Sequence, residues 1–379
     1  MNIGIDYTSA IHQLAGIGRY TRELVKALSQ HSELLPLPHY RLFVAGANDT
    51  PREALGPHFT WHRTALSKRW LERLWYRLRL PLWIEGWTGP LDLFHQPDFV
   101  LPPVKAKTPT IVTIHDLSFV REPDSVMTGM SRHLNKWVPW SVNKATHVIA
   151  VSEATRQDLI ELYQTPPEKI TTIYHGVTPH FAPVTDPAQL EAVRQKYGLG
   201  AAPFILSVGT IQPRKNYQRL IQAFAQLPTG EHNLVLAGGM GWQAEEILAE
   251  ARKPALKNRV LLPGFIADED LPALFSAADL FAYPSLYEGF GLPVLEAMAC
   301  GTPVVCSNNS SLPEVAGEAG LQVDPLDVQA ITATMADVLV SNSLHEEMSA
   351  KGRKQAAKFT WRQAVKDLMG LYQRLLEKR

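Results

Sequence analysis

Three observations predict an α/β chain of two domains, each a doubly wound parallel sheet. Short apolar runs alternate with helix-like stretches of ten or more residues. That grammar occurs twice, on either side of a polar, proline-punctuated stretch at 178–187. The 379 residues, 45% apolar and 20% charged, suit two ordinary globular domains and exclude a mostly disordered chain.

In the first half, Ile3–Asp6 is an apolar run closed by an acid. A glycine turn, Gly16–Gly18, leads into the helix-like TRELVKAL. Further runs follow at Leu42–Ala45, Leu93–His95, Ile111–Ile114 and Val148–Val151. Ser152 sits where a helix cap belongs, before EATRQDLIELY, and Ile170–Tyr174 closes the half. The second half runs through Phe204–Val208, the helix-like YQRLIQAFAQL, then Leu234–Ala237, Val260–Leu262, Leu280–Tyr283, Thr302–Cys306 and Leu321–Val323. Phe359, Ala364, Leu368, Leu371 and Leu375 recur at helical spacing near the C-terminus. The predicted domains are 1–180 and 185–361, facing across a cleft. In such sheets ligands bind beyond the carboxyl ends of the strands.

Composition narrows the function. Lys plus Arg equals Asp plus Glu, 37 each, which argues against a globally basic nucleic-acid binder. The halves differ: residues 1–180 carry 19 basic and 16 acidic residues, leaving 18 and 21 for the rest. Two cysteines, Cys300 and Cys306, exclude a disulfide scaffold and a four-thiolate zinc site. The start, MNIGIDYTSA, reads as a first strand rather than a signal peptide, and no run of 18 apolar residues exists. The expected address is the cytoplasm.

The most informative stretch is YPSLYEGFGLPVLEAMACGTPVVCSN, a strand, glycine loop, helix, glycine stop and strand in succession. Gly289 and Gly291 bracket Phe290 just before the helix, and Pro293 suits its first turn. A helix start offers free N–H groups and a positive dipole end, which suits phosphate. Glu288 and Glu296, eight positions apart, suit hydrogen bonds from sugar hydroxyls. The same pattern also allows a solvated loop carboxylate and a helix-dipole charge. Arg214 and Lys215 follow the strand ILSVG and can clamp a diphosphate or stand in solvent. His115 and Asp116 end the run IVTI at a strand's carboxyl end, where a neutral-pH donor or acceptor is useful. A helix-capping or Asp-orienting histidine is the alternative. Asp6 has the same location, with a structural hydrogen-bonding role expected.

Other signatures are missing. Gly16-Ile-Gly18 is followed by Thr21 where a dinucleotide fingerprint needs glycine, and there is no GxxxxGK[ST] or HExxH. Asp268-Glu269-Asp270 reads as a helix-start cluster, so no metal is expected.

Together RYTREL, IHDLSF, VSEATRQDL, IYHGV, SVGTIQPRKN, LPGFI and EGFGLPVLEAMACGTPVV resemble family 4 of the retaining glycosyltransferases, over nearly the whole chain. The E-x7-E spacing of the last is its most specific part. The resemblance implies the two-domain fold called GT-B, with a C-terminal helix, about 362–379, crossing back to the first domain. It implies a nucleotide-sugar donor and no other cofactor. Glu288 is then a contact to donor-sugar hydroxyls and Glu296 to the ribose. Gly289, Phe290, Gly291 and Leu292 hold sugar and phosphate through backbone N–H groups. Arg214 and Lys215 meet the diphosphate, and Phe265 and Ile266 lie against the base. Gly16 approaches the phosphate, His115 stands near the donor sugar, and Asp116 lies on the acceptor side. One departure is Ala15, where relatives often have a second glycine before Gly16.

The resemblance to mannosyltransferase-like members that build surface polysaccharides makes GDP-mannose the leading donor, with UDP-glucose or another nucleotide sugar as the alternative. The acceptor is a glycan or a lipid-linked sugar. A protein that binds a sugar nucleotide without transferring it is the competing class. Finally, KRWLERLWYRLRLPL at 68–82 sets five cations against one acid, with tryptophans and leucines between them. It reads either as a helix lying on an anionic membrane face or as one packing its apolar stripe on the first sheet.

Overall fold

The computed structural model describes residues 1–13, 16–31, 38–46, 55–228, 230–256 and 258–377. The chain folds as two compact units, 1–117 with 132–176 and 360–379, and 118–131 with 177–359. Residues 118–131 therefore group with the second unit, whereas the sequence places them in the first. Within that unit the Trp242 indole donates to the Ser125 carbonyl at 3.0 Å, which ties the segment down.

The first unit holds seven strands: β1 (Asn2–Asp6), β2 (His39–Ala45), β3 (Phe59–Thr64), β4 (Leu93–Gln96), β5 (Thr110–Ile114), β6 (His147–Ala150) and β7 (Ile170–Thr172). Their order is β3-β2-β1-β4-β5-β6-β7, every pair parallel. The interior strand β5, TIVTI, is buried along its whole length, as a strand covered by helices on both faces must be. Strand β3 is not foretold by the sequence pattern. Its residues, FTWHRT, alternate polar and aromatic on the sheet edge and never form an apolar run. Ser152 caps the helix Glu153–Tyr163 by accepting from the Thr155 N–H.

The helix Trp361–Glu377 belongs to the first unit. Ala364, Val365, Leu368, Leu371 and Tyr372 join one core with Ile3, Ile5, Leu24 and Ile111. Each buried valine, leucine or isoleucine among them is worth roughly 1.5–3 kcal/mol. The Tyr372 hydroxyl and Nδ1 of buried His95 are 2.7 Å apart, and His95 Nε2 and the Thr113 hydroxyl 2.8 Å. Burial, then the nearby His115, lowers the His95 pKa to about 3, so the ring is neutral. Phe359, which the spacing placed on this helix, precedes it and stands against Phe290 in the second unit.

The second unit is built on β8 (Phe204–Val208), β9 (Asn233–Ala237), β10 (Val260–Gly264), β11 (Leu280–Tyr283), β12 (Val304–Ser307) and β13 (Leu321–Val323). Their order is β10-β9-β8-β11-β12-β13, again all parallel. The chain winds to one side from β8 and to the other from β11, so the switch in direction lies between these neighbours. Their carboxyl ends are where a doubly wound sheet binds its ligand.

The stretch 68–82 is helical only to residue 77. An α-turn, Lys68–Glu72, passes into a π-turn, Arg73–Arg77, and Arg79 then takes φ 54°. Leu71 and Trp75 bury in a small core with Phe43, Ile84 and Phe94. Leu78, which recurs with Leu71 and Trp75 at helical spacing and so should share their face, is 60% exposed. Its N–H bonds five residues back to Arg73, which rotates it off the α-helical face. Among the described residues no helix is long and apolar enough to cross a membrane.

Candidate functional site

The site assembles from the loops after β8 and β11. Beyond β8 the chain makes a tight 3-10 turn, Pro213–Lys215, and leaves it through Asn216 in the left-handed region. The Asn216 amide donates to the carbonyls of Pro284 and Pro325, at 2.8 and 2.7 Å, and so fastens this turn to the start of the β11 loop. The Leu286 N–H donates to the Arg214 carbonyl at 2.9 Å. The two loops are thus held as one piece before any ligand arrives.

Glu288 lies between the two cations. Its Oε2 is 2.9 Å from the Arg214 guanidinium and its Oε1 2.6 Å from the Lys215 ammonium. The Ser285 hydroxyl also donates to Oε1. All three charged residues are largely shielded, with side-chain exposures of 16% for Arg214, 10% for Lys215 and 9% for Glu288. Burial alone would raise the Glu288 pKa. Arg214, then Lys215 and the hydrogen bonds from Lys215 and Ser285, outweigh it and hold the carboxyl at about 2. The group is ionised at any physiological pH. Two cations and one carboxylate leave a net charge of +1 at the strand ends.

Residues that the motif did not reveal complete this arrangement. The Lys215 ammonium also donates to the Tyr283 hydroxyl. Arg214 donates to the Tyr287 carbonyl at 2.7 Å. From the loop after β12, the Ser310 hydroxyl accepts the Glu288 N–H at 3.1 Å, and Ser311 donates to the Glu288 and Phe290 carbonyls. The sequence signal for this support is the small polar run Ser307–Ser311 beyond β12.

Gly291 caps the helix Leu292–Ala299 with φ 107°, and a Cβ there would lie 2.6 Å from Leu312 Cδ2. Only glycine fits that conformation and that space. Gly289 and Phe290 precede it, with Phe290 buried. Glu296 is 2% exposed and sits on the inner side of the helix, not at a solvated helix start. Burial, then its charge, raises the Cys300 thiol to about 12. Phe265 and Ile266 follow β10, the first 57% exposed and the second buried. All these residues belong to the second unit.

Gly16, His115 and Asp116 belong to the first unit. Gly16 caps the helix Ile17–Gln30 with φ 60° and ψ −126°, a backbone that L side chains avoid. Ala15 lies outside the described residues. His115 is buried beyond β5, its ring edge-on to Tyr20 with centroids 4.8 Å apart. Its Nε2–H donates to the Pro97 carbonyl at 2.8 Å, so the neutral ring keeps Nδ1 as an acceptor. Burial lowers its pKa. Asp116 is half-buried beside it. Asp6 is fixed locally by the Thr8 N–H at 2.9 Å. Among the described residues no group of three or more His, Cys, Asp or Glu side chains is placed to hold a metal ion.

Comparison with known proteins agrees with this architecture. The model of the family described as Glycosyltransferase Family 4 matches residues 14–181, and that of Glycosyl transferases group 1 matches 190–355. The chain is 35% identical over 375 residues to O-antigen chain mannosyltransferase B of Escherichia coli, covering 96% of this chain and 97% of that one. Among solved structures, a sucrose-phosphate synthase from Thermosynechococcus elongatus superposes with a TM-score of 0.78 at 23% identity, over all of both chains. Anabaena HepE, in complex with UDP and glucose, gives 0.74 at 19% identity, over 98% of this chain and 99% of that one. These likenesses show the fold. The whole-length relative and the two family models show that the chain belongs to glycosyltransferase family 4 and is a GT-B glycosyltransferase.

Proposed function

We propose that the enzyme moves a hexose, with retention of anomeric configuration, from a nucleoside-diphosphate sugar to a hydroxyl of a glycan or lipid-linked acceptor in surface-polysaccharide synthesis. The observation that carries this is the ionised Glu288 held between Arg214 and Lys215 at the switch between β8 and β11. Departure of a nucleoside diphosphate concentrates negative charge on the leaving phosphate. The net positive site and the N–H groups at the start of helix Leu292–Ala299 stabilise that charge without a metal ion. Arg214, Lys215 and Ser285 fix the Glu288 carboxylate in one orientation. We assign the carboxylate's outward side to a donor-sugar hydroxyl.

The reading gives the neighbouring residues roles of the same kind. Backbone groups of Gly289, Phe290, Gly291 and Leu292 hold sugar and phosphate, Glu296 takes the ribose, and Phe265 and Ile266 take the base. In the first unit, Gly16 offers an open backbone toward phosphate. His115 Nδ1 accepts from a sugar hydroxyl, and Asp116 serves the acceptor. With a single carboxylate at the reacting end, attack on the leaving-group face is the mechanism favoured. The acceptor oxygen bonds to the anomeric carbon as the carbon–phosphate-oxygen bond breaks. The acceptor's proton passes to the departing phosphate oxygen.

For the nucleotide, the ligands named for HepE, UDP with glucose, support a UDP-sugar ahead of the GDP-sugar expected from the sequence. For the sugar, the Escherichia coli relative's name supports mannose. A donor panel of GDP-mannose, UDP-mannose, UDP-glucose, UDP-galactose and ADP-glucose, reading released nucleotide and the anomer formed, tests this. Turnover with GDP-mannose alone restores the sequence expectation. Binding without turnover for every donor and acceptor tried would leave a sugar-nucleotide-binding protein. We place the enzyme in the cytoplasm, with the exposed Trp70, Leu78, Leu80 and Trp83 and the arginines among them resting on an anionic membrane face.

A further inference from the structure

The first unit contains a cavity of about 520 Å³, apart from the residues assigned above. It lies at the opposite end of the sheet from His115. Thr110, in its wall, begins β5, Thr146 immediately precedes β6, and Lys144 ends the helix Thr128–Lys144. His115 follows the other end of β5. Chemistry in doubly wound sheets sits at the carboxyl ends of strands, so this cavity is no part of a reacting site.

Its lining has two halves. One is apolar: Trp75, Tyr76, Trp137, Trp140, Leu101 and a proline pair at 102–103. The other is cationic: Arg79, Lys105, Lys136 and Lys144. Lys136, Trp140 and Lys144 stand four residues apart on one helix and share a face. Among the described residues no aspartate or glutamate lines the cavity. Glu85, whose carboxylate would oppose an anion, is buried behind the wall and already accepts from the Thr108 hydroxyl and the Lys105 N–H. Among the described residues no ion pair is formed by the four cations. Four like charges around a cavity, against one carboxylate set behind its wall, favour an anion entering it.

The backbone at the rim is unusual in the same place. The π-turn Arg73–Arg77 and the left-handed Arg79 interrupt what the sequence writes as a continuous helix. Leu80 and Trp140, both in the lining and more than 40% exposed, carry the apolar wall to the surface, and the exposed Leu78 and Trp83 flank Leu80 in the chain. A soluble anion has no use for that apolar extension, whereas an acyl chain does.

We propose that this cavity binds the phosphate headgroup of a single anionic phospholipid, with the lysines on the phosphate and the aromatic wall along the proximal acyl chain. The proposal deepens the membrane contact suggested above and rests on it. It makes that contact a stoichiometric lipid site rather than a diffuse charged face.

The probe is dihexanoyl phosphatidylglycerol below its micelle concentration, titrated calorimetrically into the full chain. Its controls are dihexanoyl phosphatidylcholine, glycerol phosphate and inorganic phosphate. Saturable one-to-one binding of the anionic lipid, at least roughly tenfold tighter than either soluble phosphate, is expected. Lys136→Gln with Lys144→Gln, both exposed positions, should weaken it by roughly tenfold or more, with melting temperature and nucleoside-diphosphate binding unchanged. Arg69→Gln with Arg73→Gln should leave monomer binding intact while reducing pelleting with phosphatidylglycerol-containing vesicles. Absence of saturable binding, equal affinity for glycerol phosphate, or full binding by the double lysine variant each overturns the lipid site. Failure of the unsubstituted chain to pellet with those vesicles, with its monomer binding kept, would instead overturn only the broader membrane contact.

Discussion

Glu288→Gln removes one charge and almost no volume, so its effect isolates the electrostatics of the buried triad. The carboxyl moves from an ordinary 4.5 to about 2 in the fold. At about 1.4 kcal/mol per pH unit, that difference makes the ionised form worth about 3 kcal/mol to the second unit. That lies at the lower edge of the general cost of about 3–5 kcal/mol for removing one partner of a buried ion pair. A carboxylate with a depressed pKa stabilises the fold fully above pH 4.5 and loses that contribution as pH falls toward 2. Wild type and variant should therefore differ by about 3 kcal/mol at pH 7 and converge through that acid window. Urea unfolding with hydrogen exchange read at the amides of β8 and β11 reports the second unit alone. Equal protection of both proteins at pH 7 would refute the reasoning, because Arg214 and Lys215 would then be indifferent to losing their counter-charge.

Arg214→Ala and Lys215→Ala should each weaken nucleoside-diphosphate binding by about 1.5–3 kcal/mol and leave the bare nucleoside nearly unaffected, as measured by calorimetry. Gly291→Ala should destabilise the second unit by about 1–3 kcal/mol in chemical denaturation. Adding Leu312→Ala should relieve the contact at 2.6 Å but not the φ of 107°, so recovery is incomplete. His95 is held neutral at a pKa of about 3, whereas the unfolded side chain takes up a proton below its ordinary 6.5. It therefore costs the first unit stability as pH falls from 6.5 toward 3, about 2 kcal/mol at pH 5. His95→Gln should flatten the pH dependence of that unit's unfolding over this interval.

The parallel sheets were legible because strands buried on both faces write themselves as uninterrupted apolar runs, as TIVTI and LFAY do. Strand β3 was not, because FTWHRT needs only one covered face at the sheet edge. Glu288, Arg214 and Lys215 were each visible from their place beside glycine loops and strand ends. Their mutual pairing was not, since 73 residues separate Lys215 from Glu288 and local spacing carries no such information. The serine supports from the β12 loop were hidden for the same reason. In the stretch 68–82, a period of 3.6 foretold burial of Leu71 and Trp75 and failed at Leu78, where the π-turn changes the period itself.

The helix Trp361–Glu377 has a consequence for how the protein is made. The ribosome delivers residues 1–176 early, yet the core they form is unfinished until this helix emerges. Roughly 180 residues of the second unit come between, about 10–40 s of synthesis at 5–20 residues per second. During that interval the nascent first sheet lacks the covering that Leu368, Leu371 and Tyr372 will provide, and its apolar face is available to chaperones and to neighbouring nascent chains. The second unit has all its strands in one continuous segment and is under no such delay. Maturation order is thus the reverse of chain order, and a premature stop even a few turns from the C-terminus strikes the half of the enzyme synthesised first.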